Sequence, residues 1–294
     1  MPFDVVTPKP RDLGGFFVQR LLPSHPHRAL GPFVYFDHLG PSVMAAGHGV
    51  AVRPHPHIRL ATVTYLFDGA LTHRDSLGND EVIRPGDVNW MTAGRGIVHS
   101  ERTPAADLAT PRAMHAIQSW VALPREHEND APSFSHHDKA TLPLIELPGV
   151  KMRLIAGNAW GERAPTPVLS PTWYLDAEFT CDRGAPATRL TLPAEHEQRA
   201  VYLVSGAISL DGVALEANTM AVLPSGAEVV LAASGAARVM LLGGAHLAEP
   251  RAVNWNFVSS SKEAIDAARR SWQTYPNAQF PQVPGESESI PLPA

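Results

Sequence analysis

A chain of 294 residues exceeds the usual span of one domain, roughly 100–200 residues, so two domains of similar size are expected. With 44% hydrophobic and 18% charged residues, the composition is that of an ordinary globular protein, and no apolar run approaches the roughly 18 residues of a membrane span, so no membrane role is expected. A formal net charge of −5, with no cluster of Lys or Arg able to neutralise several phosphates, argues against direct nucleic-acid binding.

The first residues, MPFDVVTPKPRDLGG, carry neither a basic start followed by an apolar stretch nor a small-residue cleavage site, so no secretory signal is expected. The sole cysteine, Cys181, excludes an internal disulfide framework and a cysteine-built metal site, and with the missing signal it points to the cytoplasm. Histidine is the unusual component, at 14 residues. The pair in His25-Pro26-His27 is read as a surface or structural segment.

Strands are expected next. With 22 glycines and 28 prolines, turns are frequent, and between them lie short β-branched and aromatic runs at Thr62 to Phe67, Glu81 to Ile83 and Ile97 to His99. A charged, turn-rich stretch without periodicity, Glu126 to Asp138, is the expected linker, dividing the chain into domains 1–130 and 131–294. The second half echoes the first: strands end at Asp68-Gly69 and at Ser205-Gly206, the latter after Val201 to Val204, and glycine turns at Gly96 and Gly226 precede further strands. Duplication of one β-barrel unit is the simplest reading. Arg251 to Val258 reads as a strand, and Ser261 to Gln273 as a helix, with Ser260 and Glu263 at capping-box spacing and a stripe of Ile265, Ala268 and Trp272. Pro276 to Ala294 reads as an irregular tail.

Side chains two apart on a strand share a face. His55 and His57 therefore form one pair, and His99 and Glu101 a second. If both faces turn into one barrel, three imidazoles and a carboxylate converge as the ligands of a single divalent transition metal, leaving positions for substrate and oxygen. A buried Glu101 would need such a partner. Counting from Gly226 as from Gly96, apolar Val229 and Leu231 stand where His99 and Glu101 stand in the first half, so no metal is expected there, and His196 is read as a structural histidine. Arg95, Arg102 and His73 either line the pocket mouth or are solvated turn residues, the second being preferred, and Trp90 and Met91 are read as core rather than as a substrate platform.

The runs Phe36-Asp37-His38-Leu39-Gly40-Pro41, His55-Pro56-His57, HRDSLGND (73–80), VIRPGDVNWMTAGRGIVHSER (82–102) and NFVSSSKEAIDAARRSW (256–272) together resemble the pirin family. The resemblance implies an all-β bicupin: two β-barrel (jelly-roll) domains with a short C-terminal helix, the first holding the metal, the second holding none and carrying the helix and tail. It also implies that the metal is Fe(II) and that its ligands are His55, His57, His99 and Glu101. One departure is Ile58-Arg59-Leu60-Ala61, where many members have Arg-Gly-Phe-Glu. Two functions follow from the resemblance. One is a quercetin 2,3-dioxygenase type of enzyme, taking a quercetin-like flavonol and dioxygen, with Glu101 as catalytic proton acceptor. The other is an iron-dependent redox sensor with a protein partner, a transcription factor or a metabolic enzyme.

Overall fold

The computed structural model describes residues 3–12, 16–180 and 186–293, and Cys181 lies outside them. The short glycine-bounded runs fold as strands, and all four that the sequence marks are there, within Leu60–Asp68, Asp80–Ile83, Ile97–Arg102 and Gln198–Ser205. The molecule is mostly β, with two cupin barrels and one short α-helix among the described residues.

The chain divides into two compact units, each drawing on separated stretches. One comprises Pro10–Gln19, Val34–Lys139 and Ala248–Ala294; the other comprises Met1–Lys9, Arg20–Phe33 and Ala140–Leu247.

In the first of these units, a larger sheet includes Ser133–His137, Val88–Thr92, Leu60–Asp68, Arg112–Ala122 and Phe33–Met44 as successive neighbours. A smaller one runs Ala51–His57, Ile97–Arg102, Leu71–Asp75, Asp80–Ile83. The stretch expected to be an aperiodic linker instead holds a 3-10 turn at Arg125–His127 and the strand Ser133–His137, which pairs with Val88–Thr92. Its polar appearance has a packing cause: Glu128 is 2% exposed and lies within bonding reach of Arg59, Ser260 and Arg251. Arg59 takes the left-handed conformation, φ 61°, that suits the glycine of the usual family run, and its guanidinium is held by Glu128, Ser259 and Asn129.

Arg251 to Val258 is not one strand. It is a hairpin of Ala252–Asn254 and Phe257–Ser259, turned at Trp255 with φ 52°. The helix follows as Lys262–Trp272 and buries Ile265, Ala268 and Trp272 as its stripe predicts, against Ile58, Val98 and Phe257. Its N-cap is Ser261, whose hydroxyl accepts from the Ala264 N–H, while Ser260 is taken up by Glu128. The tail beyond is irregular and contributes Phe280 and Val283 to the same apolar cluster.

In the other unit, Thr188–Leu192, Val229–Ala233, Ile208–Leu210 and Val213–Leu215 form the smaller sheet, and its core is a continuous apolar cluster that includes Trp173, Leu190, Leu192 and Leu231.

Candidate metal centre

Two antiparallel neighbours of the first barrel's smaller sheet carry the centre. Ala51–His57 and Ile97–Arg102 pair with His57 opposite Ile97 and His55 opposite His99. One nitrogen from each of His55, His57 and His99 lies within 4.8 Å of the others. The ring centroids are 4.4 Å apart for His55 and His99, and 5.0 Å apart for His57 with either neighbour. All three are buried, at 7%, 1% and 0% exposure respectively.

The register slips between His99 and Glu101, because Val52 to His55 opposes a stretch one residue shorter. The extra residue falls at Arg53-Pro54, where proline has no N–H to give the ladder. Here the Arg53 carbonyl accepts a hydrogen bond from His55 Nδ1, at 2.9 Å. His57 Nδ1 donates likewise to the carbonyl of Asn256, at 3.0 Å, and the His57 ring packs in a T-shaped contact with Trp120. His99 Nδ1 lies 3.4 Å from Nδ1 of His73.

With each Nδ1 so engaged, the Nε2 atoms are left for a common centre. Burial pushes the His57 and His99 imidazoles well below their ordinary pKa, with the neighbouring histidines adding to the effect. Burial also lowers His55, against the opposing pull of the Arg53 carbonyl and the Glu101 carboxylate. The neutral ring is the form that offers a lone pair to a metal. A metal fits these residues on one further observation: His99 Nε2 is buried with no hydrogen-bond partner. An orphaned polar atom costs on the order of 1–3 kcal/mol, and a cation would satisfy it together with the other two lone pairs.

Glu101 stands beside this trio and does not complete a four-donor set of the same spacing. It is 5% exposed, and its carboxylate accepts from the Thr64 hydroxyl at 3.0 Å and from the Gln118 amide at 3.2 Å to each oxygen. These bonds aim it into a cavity of about 270 Å³ that His55, Glu101, Gln118, Trp120 and Asn256 line together with apolar side chains such as Val52, Leu71 and Ile290. Tyr35 stacks on Trp120, ring centroids 3.9 Å apart, and both line the cavity. That size lies near the lower end for small-molecule sites, roughly 300 Å³.

The solvated-turn reading fails for His73. It lies on the strand Leu71–Asp75, is 3% exposed, and donates from Nε2 to Asp75 at 3.0 Å. The signal available was the same two-residue spacing that marks the ligands, His73 to Asp75 on one face. Arg102 is also on a strand, paired with Glu286 at 2.7 Å, whereas Arg95 is exposed at a turn. Trp90 and Met91 are core, at 2% and 1% exposure. His25 is exposed and His27 contacts Asp4 at 3.1 Å.

In the second barrel Leu210 faces Leu231 where the first has His73 facing Glu101, and Val229 and Leu231 are buried in its apolar core. His196 stacks on Trp173, centroids 5.5 Å apart. A second trio with metal-like spacing, Asp87, His136 and Asp138, has its inner donors occupied: Asp87 accepts from two backbone N–H groups and His136 contacts Asn89. No helix among the described residues is long and apolar enough to cross a membrane.

Residues 15–121 match the family model described as Pirin, and residues 177–278 the model described as Pirin C-terminal cupin domain. A "Pirin-like protein" of Caulobacter vibrioides is 46% identical over 96% of this chain and 96% of its own length. "Pirin-1" of Arabidopsis thaliana is 32% identical over 76% of this chain and 77% of its own. Among solved structures, a quercetin 2,3-dioxygenase from Acinetobacter baumannii superposes with a TM-score of 0.91 at 32% identity, covering 99% of this chain and 95% of that one.

Proposed function

The chain belongs to the pirin family, and we propose that its first cupin barrel is a metal-dependent dioxygenase centre acting on quercetin-like flavonols, with Fe(II) held by His55, His57, His99 and Glu101. The observation that carries this reading is the buried trio of imidazoles, one with an orphaned Nε2, next to a cavity lined by Tyr35 and Trp120. Likeness to a quercetin 2,3-dioxygenase supports the substrate class. When bound, the metal would supply Lewis acidity toward a flavonol oxygen and a site for dioxygen.

The chain's own residues supply the rest. Tyr35, held by its stack on Trp120 at the cavity wall, would offer an aromatic contact to the planar ring system, and the apolar wall at Val52 and Leu71 would keep bulk water from it. Glu101 was expected both as a fourth ligand and as the proton acceptor, and both roles stay in this proposal. The bonds from Thr64 and Gln118 support the second, since they fix an acceptor-only carboxylate where a flavonol hydroxyl would enter. The imidazoles, with Nδ1 protons committed elsewhere, would hold the metal and move no proton. In this proposal residues 131–294 contain no metal site, and the protein works in the cytoplasm, where a lone Cys181 would stay reduced.

Oxygen uptake with quercetin tests the proposal. Iron-loaded protein should consume oxygen and His99→Ala should not; equal rates in loaded protein, metal-free protein and His99→Ala overturn the enzyme reading. Capture of a transcription factor or metabolic enzyme that follows the iron oxidation state, with no turnover of flavonol, would put the redox sensor in its place.

A further inference from the structure

We infer that His73 and Asp75 form a hydrogen-bond relay that fixes His99 in the tautomer with a bare Nε2, which makes both of them positioning residues of the metal centre. The inference rests on the metal-holding reading of His55, His57 and His99 and names what sets the third of them.

The two ligands on Ala51–His57 each give their Nδ1 proton to a backbone carbonyl, Arg53 for His55 and Asn256 for His57. His99 is different, because its Nδ1 meets another imidazole, His73, and no carbonyl. A contact between two ring nitrogens carries one proton, so its direction decides which nitrogen of His99 is left bare. Asp75 settles that direction. Its carboxylate is fully buried and accepts from Leu77 N–H, from Asn79 N–H and amide, and from His73 Nε2. A carboxylate with so many donors is an acceptor only, so the His73 proton sits on Nε2 and a neutral His73 has a bare Nδ1. His99 must then donate from Nδ1, and its Nε2 lone pair is presented to the centre. The opposite direction would need two protons on His73 and would leave the His99 proton on Nε2, aimed at two other imidazoles.

Packing holds the relay in place. His73 stacks on Phe134 with centroids 4.2 Å apart and planes 9° apart, so the ring cannot swing away without losing that face. The strand Leu71–Asp75 pairs with Ile97–Arg102 so that His73 is opposite Glu101 and Asp75 is opposite His99. The same ladder therefore places the relay against His99. A ring nitrogen oriented by a carboxylate is a general device for metal-binding histidines, and its loss typically weakens metal affinity about 10- to 100-fold. Here the device has one more link, an imidazole between carboxylate and ligand.

The test uses full-length protein with Co(II) alone as probe, its affinity measured by competition with a chelator and its ligand field by visible absorption. His73→Phe keeps the stack on Phe134 and removes the acceptor; His73→Asn returns an acceptor oxygen near the place of Nδ1. The relay predicts that Co(II) affinity falls about 10- to 100-fold in His73→Phe with a shifted absorption band, and that His73→Asn recovers most of both. Wild-type affinity and spectrum in His73→Phe, or equal losses in the two variants, overturn the relay and leave the metal site standing. Absence of Co(II) binding by the wild type overturns both. Should His73→Phe fail to fold, nitrogen-15 spectra of the metal-free wild type decide: a proton on Nδ1 of His99 supports the relay and a proton on Nε2 overturns it.

Discussion

The Nδ1 atom of His57 donates to the carbonyl oxygen of Asn256, 199 residues further along the chain, at 3.0 Å. Asn256 sits in the turn of the Ala252–Asn254 and Phe257–Ser259 hairpin, so the orientation of one proposed ligand depends on a segment that follows the second barrel in sequence. From the same segment Ile290 reaches the cavity wall, its N–H bonded to the Pro54 carbonyl and its carbonyl to the Trp272 indole. Two truncations should therefore differ. A chain ending at residue 285 keeps Asn256 and loses Ile290, and should retain metal while binding flavonol more weakly. A chain ending at residue 247 should lose metal as well. Metal content and flavonol binding measured on both check this, and equal metal content in the two would break the proposed dependence of His57 on the hairpin.

Glu101→Gln separates holding the metal from moving a proton. The amide retains the shape of the carboxylate and can still accept from Thr64, but it is no longer a base. Turnover of quercetin should drop about 10²- to 10⁴-fold, the usual contribution of a positioned general base, while the metal content stays within about twofold of the wild type, as expected if the three histidines are the principal ligands. Unchanged turnover would remove Glu101 from the chemistry.

Glu128 anchors the hairpin to the first barrel. Its carboxylate bonds Arg59 at 2.9 Å and the Ser260 N–H at 2.9 Å, and Arg251 Nε lies 3.1 Å away, near enough for charge attraction but off-line for a hydrogen bond. The side chains of Glu128 and Arg251 are only 2% and 4% exposed. Glu128→Ala leaves buried guanidinium without its counter-charge and should cost about 3–5 kcal/mol. Denaturant melts at neutral pH provide the check, and a loss under about 1 kcal/mol, the range of an exposed pair, would show that the pair is solvated in the folded protein.

Acid should destabilise the fold in a defined window. The His38 imidazole is lowered to about 3, first by burial and second by the neighbouring His115, whose Nε2 lies 2.7 Å from its own. Below the ordinary value of 6.5 the unfolded chain takes up a proton that folded His38 refuses, so the unfolded state binds more protons and stability falls as pH drops from 6.5 toward 3. Above 6.5 this residue adds no pH dependence. His38→Asn should flatten the acid limb of unfolding free energy against pH by up to about 1.4 kcal/mol per pH unit. A variant with the wild-type slope would place the titrating group elsewhere.

Much of this architecture was legible in residues close together in sequence. Thr62 to Phe67 and Val201 to Val204 are strands because β-branched and aromatic residues there are bounded by glycine turns, and His55, His57 and His99 meet because a strand repeats every two residues. What was hidden is what distant pairing decides. No local period shows that Arg53-Pro54 holds a bulge, that polar Glu128 is buried by Arg59 and Arg251, or that Trp255 turns the apparent strand Arg251 to Val258 into a hairpin. His73 was misjudged because a histidine beside Arg74 looks solvated, while its environment comes from Asp75, His99 and Phe134 on three strands. The site as a set of histidines was therefore readable, and the groups that orient those histidines were not.

His55, His57 and His99 are proposed to share one metal ion. Elemental analysis of the purified protein after loading with Fe(II), side by side with His99→Ala, tests it most directly. About one equivalent should be bound by the wild type and, with a ligand gone, affinity should be weaker by at least the roughly 100-fold upper end seen for lost supporting contacts, so that the variant is recovered almost free of metal. Equal loading of folded wild type and folded His99→Ala, or none in either, would contradict it.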